Sequence, residues 1–374
     1  MSSRKERAYA IQLGLARHLL AVKLAYMKIT TGIPLDDLNK VPAAVQRREA
    51  AGYDGINTQE NRQDPFLPLA VAALNSDKLE LATSIAISFA RSPMVFANIG
   101  WDLQRASGGR FVLGLGTQVK GHNERRFSVP WSAPAPRMRE MVQFIKATWH
   151  SWKTGEQLNY EGEHYRVTLM PPNFVPEPLA GPPPALTIAA VGPGMMKVAA
   201  EECDGVRLHP FSTRKYLEES ALPRINAGLP AGVGKRENFE VSGGGFIATG
   251  STDEAVARAF EWVRMRVGFY GSTRAYWPVF EAHGLTDLGE KLNHMSKTNQ
   301  WEAMTREIDD DIVHLFAAVG RHDQLKDAVQ ERFGGIIDSL SVGTPVDEPG
   351  GLPPDLIQDL RRIETPFNGF STAT

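Results

Sequence analysis

The sequence predicts an α/β protein, a (β/α)8 TIM barrel with a helical insertion between strands seven and eight. Strand-like and helix-like apolar patterns alternate along most of the 374-residue chain. The strand segments are short continuous apolar runs, such as FVLGL at 111–115, as parallel strands covered on both faces require. Eight βα units can be counted, the number that closes such a barrel; a doubly wound open sheet is the alternative that alternation alone leaves open.

Residues 29–31 form the first strand, ending at Gly32, and residues 38–51 have helical apolar spacing up to Gly52. Strand two spans 53–57 and a helix follows at 66–74; strand three is the β-branched run 79–87. Helix three carries Val95, Phe96, Ile99, Leu103 and Ala106 at helical spacing, so that one face is buried. Ser92 suits its N-cap, Pro93 its first position, and Gly108 and Gly109 its left-handed stop. In strand four, Gly114 and Gly116 leave room for a group to approach the backbone at the strand's carboxyl end, where ligands bind in parallel α/β folds. An amphipathic helix at 136–152 follows. Strand five is placed at 186–191 with a helix at 195–202, and strand six at 205–208. Strand seven is read at 239–247 with a helix at 253–267, strand eight at 336–342, and the closing helix at 354–363.

Two insertions depart from a minimal barrel. Residues 158–184 contain a hairpin with Gly162 at its turn and a Pro-rich stretch. Residues 268–333 form the helical excursion, whose loop 268–276 carries Phe269, Tyr270 and Tyr276. It is a candidate lid, with a helical cap over the barrel wall as the alternative. The organisation expected is an N-terminal arm or over-extended start at 1–26, a barrel domain at 27–345, and a closing helix with a frayed tail at 346–374.

Hydrophobic content of 42% and charged content of 22% are ordinary for a globular protein. A net charge of −2 gives no electrostatic reason to expect nucleic acid or an anionic membrane as partner. Arg17, His18 and Lys23 interrupt the apolar run near the N-terminus, so neither an export signal nor a membrane span is expected. Cys203 is the single cysteine, which excludes an internal disulfide and fits a cytoplasmic location. The histidines are scattered, so no metal site is expected. Asp309, Asp310 and Asp311 read as a solvated helix start. The GPG at 192–194 falls short of the dinucleotide fingerprint.

Candidate chemistry therefore sits at strand ends. Gly192, Gly194 and Met195 open a helix after strand five, where free backbone N–H groups make an anion site or a plain βα turn. After strand two come Glu60 and Asp64, the latter read as a helix cap. Thr117, Gln118, His122 and Asn123 follow strand four, with Glu124 expected to pair with Arg125 and Arg126. His209 follows strand six, as an acid/base or as a hydrogen-bonded wall.

The segment 92–127, with GLGTQVKGHNERRF at 114–127, resembles the luciferase-like (bacterial luciferase) superfamily of flavin and deazaflavin oxidoreductases, and within it the actinobacterial branch that uses coenzyme F420. The resemblance extends over roughly residues 27–345. It implies a TIM barrel and hydride transfer between F420 and a small organic substrate. An FMN-dependent monooxygenase is the alternative, and a non-catalytic flavin-binding paralogue a third; a flavin or F420 reductase is the implied partner. It also implies a homodimer, a cofactor phosphate at Gly192, Gly194 and Met195, and a non-proline cis peptide at Ser84-Ile85 behind the ring. Polar contacts are implied from Gly116, Thr117, Gln118 and Asn123. Gln118 stands where a carboxylic acid is usual, and the strand-two histidine is missing, which leaves His209 and Glu60 as the candidate acids.

Overall fold

The computed structural model describes residues 25–230, 236–343 and 351–370. The barrel strands are β1 (Lys28–Thr31), β2 (Gly55–Thr58), β3 (Glu80–Thr83), β4 (Phe111–Gly116), β5 (Ala185–Ala190), β6 (Gly205–Leu208), β7 (Glu240–Gly243) and β8 (Ser339–Ser341). Each is parallel to the next, and β8 returns to β1 through Leu340 opposite Ile29, closing a barrel of eight strands. Its outer helices are α1 (Val41–Ala51), α2 (Phe66–Ala73), α3 (Pro93–Ala106), α4 (Pro134–Thr154), α5 (Pro193–Glu202), α6 (Leu222–Gly228), α7 (Leu325–Phe333) and α8 (Pro354–Leu360).

Local chemistry sets the element ends. The Ser92 Oγ accepts the Val95 N–H at 3.3 Å, capping α3. Gly108 and Gly109 take φ of 64° and 93° after it. The buried face of α3 differs from the expected one: Phe96 and Leu103 are inside, but Val95 and Ala106 are exposed, and Ala97, Gly100 and Trp101 face inward. The cause is α4. Trp149 donates to the Ala97 carbonyl at 3.0 Å, and its ring lies where a Cβ on residue 100 would come within 2.6 Å.

A shared device ties neighbouring strands at the barrel's amino end. Asp54, Asp204 and Asp338 each precede an even strand and accept a backbone N–H from the strand before: Ile29 at 2.9 Å, Leu186 at 2.8 Å and Val241 at 2.7 Å. Inside this end, Lys28 Nζ pairs with Glu80 at 2.8 Å and Glu240 at 2.6 Å. Burial alone would pull the lysine down; the two carboxylates outweigh it and hold the ammonium protonated.

The expected frayed tail is ordered as far as the structure describes it. Ala25–Tyr26 pairs antiparallel with Glu364–Thr365, and the Phe367 N–H donates to Asp338 Oδ1 at 3.1 Å. The rings of Phe367 and Phe370 lie 5.2 and 5.1 Å from Lys28 Nζ. Two aromatic side chains thus cover the buried charges, which turn-rich composition alone did not reveal. The arm or over-extended start at 1–26 lies outside the described residues except for 25–26, as do 371–374.

Strand seven is shorter than expected. Gly243 and Gly244 have φ of 87° and 84°, and the chain turns out of the barrel there. Phe246–Gly250 pairs instead in parallel with Ala317–Arg321, so the excursion before β8 contains a small sheet as well as helices. Its helix Asp253–Gly271 takes up the start of the expected 268–276 loop. The hairpin is present, Tyr160–Glu161 against Arg166–Val167, with Glu140 accepting the Glu163, His164 and Tyr165 N–H groups. Among the described residues no helix is long and apolar enough to cross a membrane.

Candidate active site at the barrel mouth

The carboxyl ends of the strands bring the expected loops together. Strand three is interrupted: β3 stops at Thr83, the Ser84–Ile85 peptide is cis, and Ala86–Ile87 resumes pairing with Leu115 and Gly116 of β4. Gly114 and Gly116 do leave room for a close approach, but the chain itself fills it. A Cβ at residue 114 would come within 1.9 Å of the Thr83 carbonyl oxygen, and one at 116 within 2.6 Å of the Ile85 side chain. These glycines admit the neighbouring strand's exit rather than a ligand to the strand-four backbone.

At the β2 exit, Glu60 Oε2 accepts the Ile87 N–H and Arg91 Nη1, both at 2.7 Å. Arg91 Nη2 reaches Asp64 Oδ2 at 2.9 Å. Burial pulls the arginine down, and its bonds to Glu60 and Asp64 outweigh this, raising it above its ordinary value. Asp64 Oδ1 accepts the Phe66 and Leu67 N–H groups at 2.8 and 3.2 Å, the capping role read from the sequence. Arg91 was not singled out in the sequence, where it is one cation between strand and helix.

The β4 exit is largely self-satisfied. Gln118 sits at φ 56°, and its Oε1 accepts the Val119 N–H at 2.9 Å. Asn123 is 0% exposed; its Nδ2 donates to the carbonyls of Thr117 at 2.9 Å and Val119 at 3.2 Å. It braces the loop from within rather than presenting its amide outward. Glu124 pairs with Lys120 at 3.8 Å, one helical turn back, not with its arginine neighbours.

At the β5 exit, Gly192 is the N-cap of α5 with no side-chain capping bond. Gly194 and Met195 occupy the first turn, where helix N–H groups have no intrahelical acceptor. Around Gly194 the nearest heavy atom to a built Cβ is Ala135 Cβ at 3.5 Å, so the turn is open.

At the β6 exit, His209 Nδ1 accepts the Phe211 N–H at 3.0 Å, which leaves Nε2 to carry the proton of the neutral ring. The ring lies 4.4 Å from Tyr270 and 4.5 Å from Tyr276. Burial, and then the nearby Arg266, push His209 down to about 4. The excursion therefore contributes directly to the mouth, and a water-sized cavity of about 10 Å³ here has His209, Ser212, Tyr216 and Tyr276 among its mostly apolar lining. Burial, and then Tyr270, push Tyr276 up to about 12.

Asp309 Oδ1 accepts the Ile312 N–H at 2.8 Å and starts the helix Asp310–Phe316, in line with the solvated-helix reading. Glu140, Glu163 and His164 lie close enough together to hold a cation, but Glu140 is already occupied by three backbone N–H groups.

A closed parallel barrel with its polar and aromatic groups gathered at the carboxyl ends of the strands defines a TIM-barrel protein of the enzyme-like kind. Residues 19–339 match the model of the luciferase-like monooxygenase family, and the chain belongs to that family. The uncharacterized protein Rv1360 of Mycobacterium tuberculosis is 44% identical over 314 residues, covering 84% of this chain and 92% of that one. The 5,10-methylenetetrahydromethanopterin reductase of Archaeoglobus fulgidus is 27% identical over 311 residues, covering 81% and 88%. Among solved structures, the coenzyme F420 dependent tetrahydromethanopterin reductase of Methanopyrus kandleri superposes with a TM-score of 0.71 at 19% identity, covering 91% of this chain and 99% of that one.

Proposed function

We propose that this protein transfers a hydride between coenzyme F420 and a small organic substrate at the barrel mouth. The observation that carries the reading is the β5 exit, an uncapped helix start with open space beside Gly194, which suits a phosphate. The reductase activity named for the Archaeoglobus relative and the coenzyme named for the Methanopyrus structure support it.

The donor set fits a phosphate-bearing planar cofactor. Backbone N–H groups of Gly192, Gly194 and Met195 would hold the phosphate, Ser84 and Ile85 would back the ring, and Thr117 and Gln118 would border it, with Asn123 bracing that loop. When bound, the cofactor supplies the hydride chemistry. His209, neutral above a pKa of about 4, offers Nε2–H as a hydrogen-bond donor to a substrate oxygen. Tyr270 and Tyr276 keep that imidazole in place and shield it from water.

A second reading, an FMN-dependent monooxygenase, is favoured by the family match itself. A side-by-side optical titration with oxidised F420 and with FMN separates the two. Preference for F420 is the expected outcome; preference for FMN moves the protein to oxygen chemistry and requires a reductase. Binding of neither overturns the cofactor assignment.

A further inference from the structure

We infer that Glu60 and Arg91 act as a positioning couple that sets the ring-facing surface at the β3 exit, and that Glu60 is not the proton donor. The inference rests on the reading above, in which a planar ring lies against Ile85.

Glu60 grips the segment 85–87 at two points. Its own N–H donates to the Ile85 carbonyl at 3.1 Å, and its Oε2 accepts the Ile87 N–H at 2.7 Å. That same oxygen takes Arg91 Nη1 at 2.7 Å, so two donors already occupy it. Arg91 is itself held from two sides. Its second terminal nitrogen binds Asp64, and its guanidinium lies 5.5 and 6.0 Å from the rings of Phe66 and Phe96. Asp64 is bound by the first turn of α2, and Phe96 lies on α3. One carboxylate thus joins the β2 exit, the β3 exit and two helices.

The opposite side of Ile85 is equally constrained, because its side chain occupies the space that only glycine leaves at residue 116. Ser88 completes the frame: its N–H and Oγ both donate to the Gly116 carbonyl at 2.9 Å. A surface against which a ring must lie flat needs such bracing, because small displacements weaken every contact along the ring. Holding a main-chain N–H and a guanidinium on one oxygen fills both acceptor positions of Glu60 Oε2 and fixes the carboxyl group between the two donors.

The test separates ring contact from phosphate contact. Wild type, Glu60→Gln, Arg91→Lys, Arg91→Met and Gly194→Asp are titrated with F420, FMN, and the matching phosphate-free rings 7,8-didemethyl-8-hydroxy-5-deazariboflavin and riboflavin. Glu60→Gln is expected to weaken the preferred cofactor and its phosphate-free ring by the same factor, about tenfold, and to shift the absorption band of the bound ring. Gly194→Asp weakens only the phosphorylated ligand. Arg91→Lys, which keeps the charge, loses less than Arg91→Met; this pair answers the question if Glu60→Gln folds poorly. Wild-type ring affinity and an unmoved band in Glu60→Gln and Arg91→Met overturn the inference while leaving the cofactor reading intact. Failure of the wild type to bind any of the four ligands overturns that reading, and the inference with it.

Discussion

His209 and Tyr276 lie with ring centroids 4.5 Å apart at 34°, one on the barrel and the other on the excursion that precedes β8. The contact joins the two parts of the chain at the mouth and leaves the imidazole half-buried. Because the folded protein resists protonating His209 until about pH 4, whereas an unfolded histidine takes a proton near 6.5, the unfolded state binds more protons between those values. This contribution to stability is present above about pH 6.5 and falls as the pH drops to 4, by about 3 kcal/mol at the limit. Denaturant unfolding of wild type and His209→Gln across this range checks it. The variant should lose that part of the pH slope, and identical slopes would refute the burial of the ring.

Gly114→Ala is expected to destabilise the fold by about 3 kcal/mol, because the added methyl meets the Thr83 carbonyl oxygen at 1.9 Å and backbone cannot move aside cheaply. Gly116→Ala meets Cδ1 and Cγ1 of Ile85 at 2.6 Å, side-chain atoms rather than backbone. Its cost should be smaller, and Ile85→Ala in the same chain should relieve it. Thermal melts of the three variants make the comparison; equal losses for the two glycines would contradict the packing described.

Gly194→Asp places a carboxylate on the first turn of α5, where there is space for it. An acidic residue there interacts well with the helix dipole, so the melting temperature should hold or rise slightly. Cofactor affinity should fall at least tenfold, by roughly 1.4 kcal/mol or more, through repulsion of the phosphate. Unchanged affinity in a titration would remove the phosphate from this turn.

Phe367 is 7% exposed, and its backbone is tied to Asp338. Phe367→Ala should destabilise the protein by about 3 kcal/mol in urea unfolding, since it uncovers Lys28 and its two carboxylates as well as losing an aromatic contact. A loss below about 0.5 kcal/mol, the level of an ordinary surface change, would mean that the tail does not support the barrel floor.

Much of the fold was legible because its determinants are local. Ser92 and Pro93 start α3 and the double glycine stops it, through backbone preferences that need no tertiary partner. The continuous apolar runs announce buried parallel strands for the same reason, and the GPG at 192–194 marks a helix start. The excursion's aromatics were visible as a group, though not that two of them would close on His209.

What sequence alone determined here is the kind and order of the elements, the barrel class they add up to, and the strand ends where polar residues collect. Only the tertiary structure decided which groups are already spoken for. Glu60 looked like a free acid until Arg91 and the Ile87 N–H were brought to one of its oxygens across 31 and 27 residues. Gly114 and Gly116 looked like space for a ligand until Thr83 and Ile85 filled it. The tail looked free until Phe367 and Phe370 met the ammonium of Lys28. In each case the deciding partner is distant in sequence. Propensity and periodicity act over a few residues, whereas burial, pairing and charge compensation are settled only when the closed barrel brings distant segments into contact.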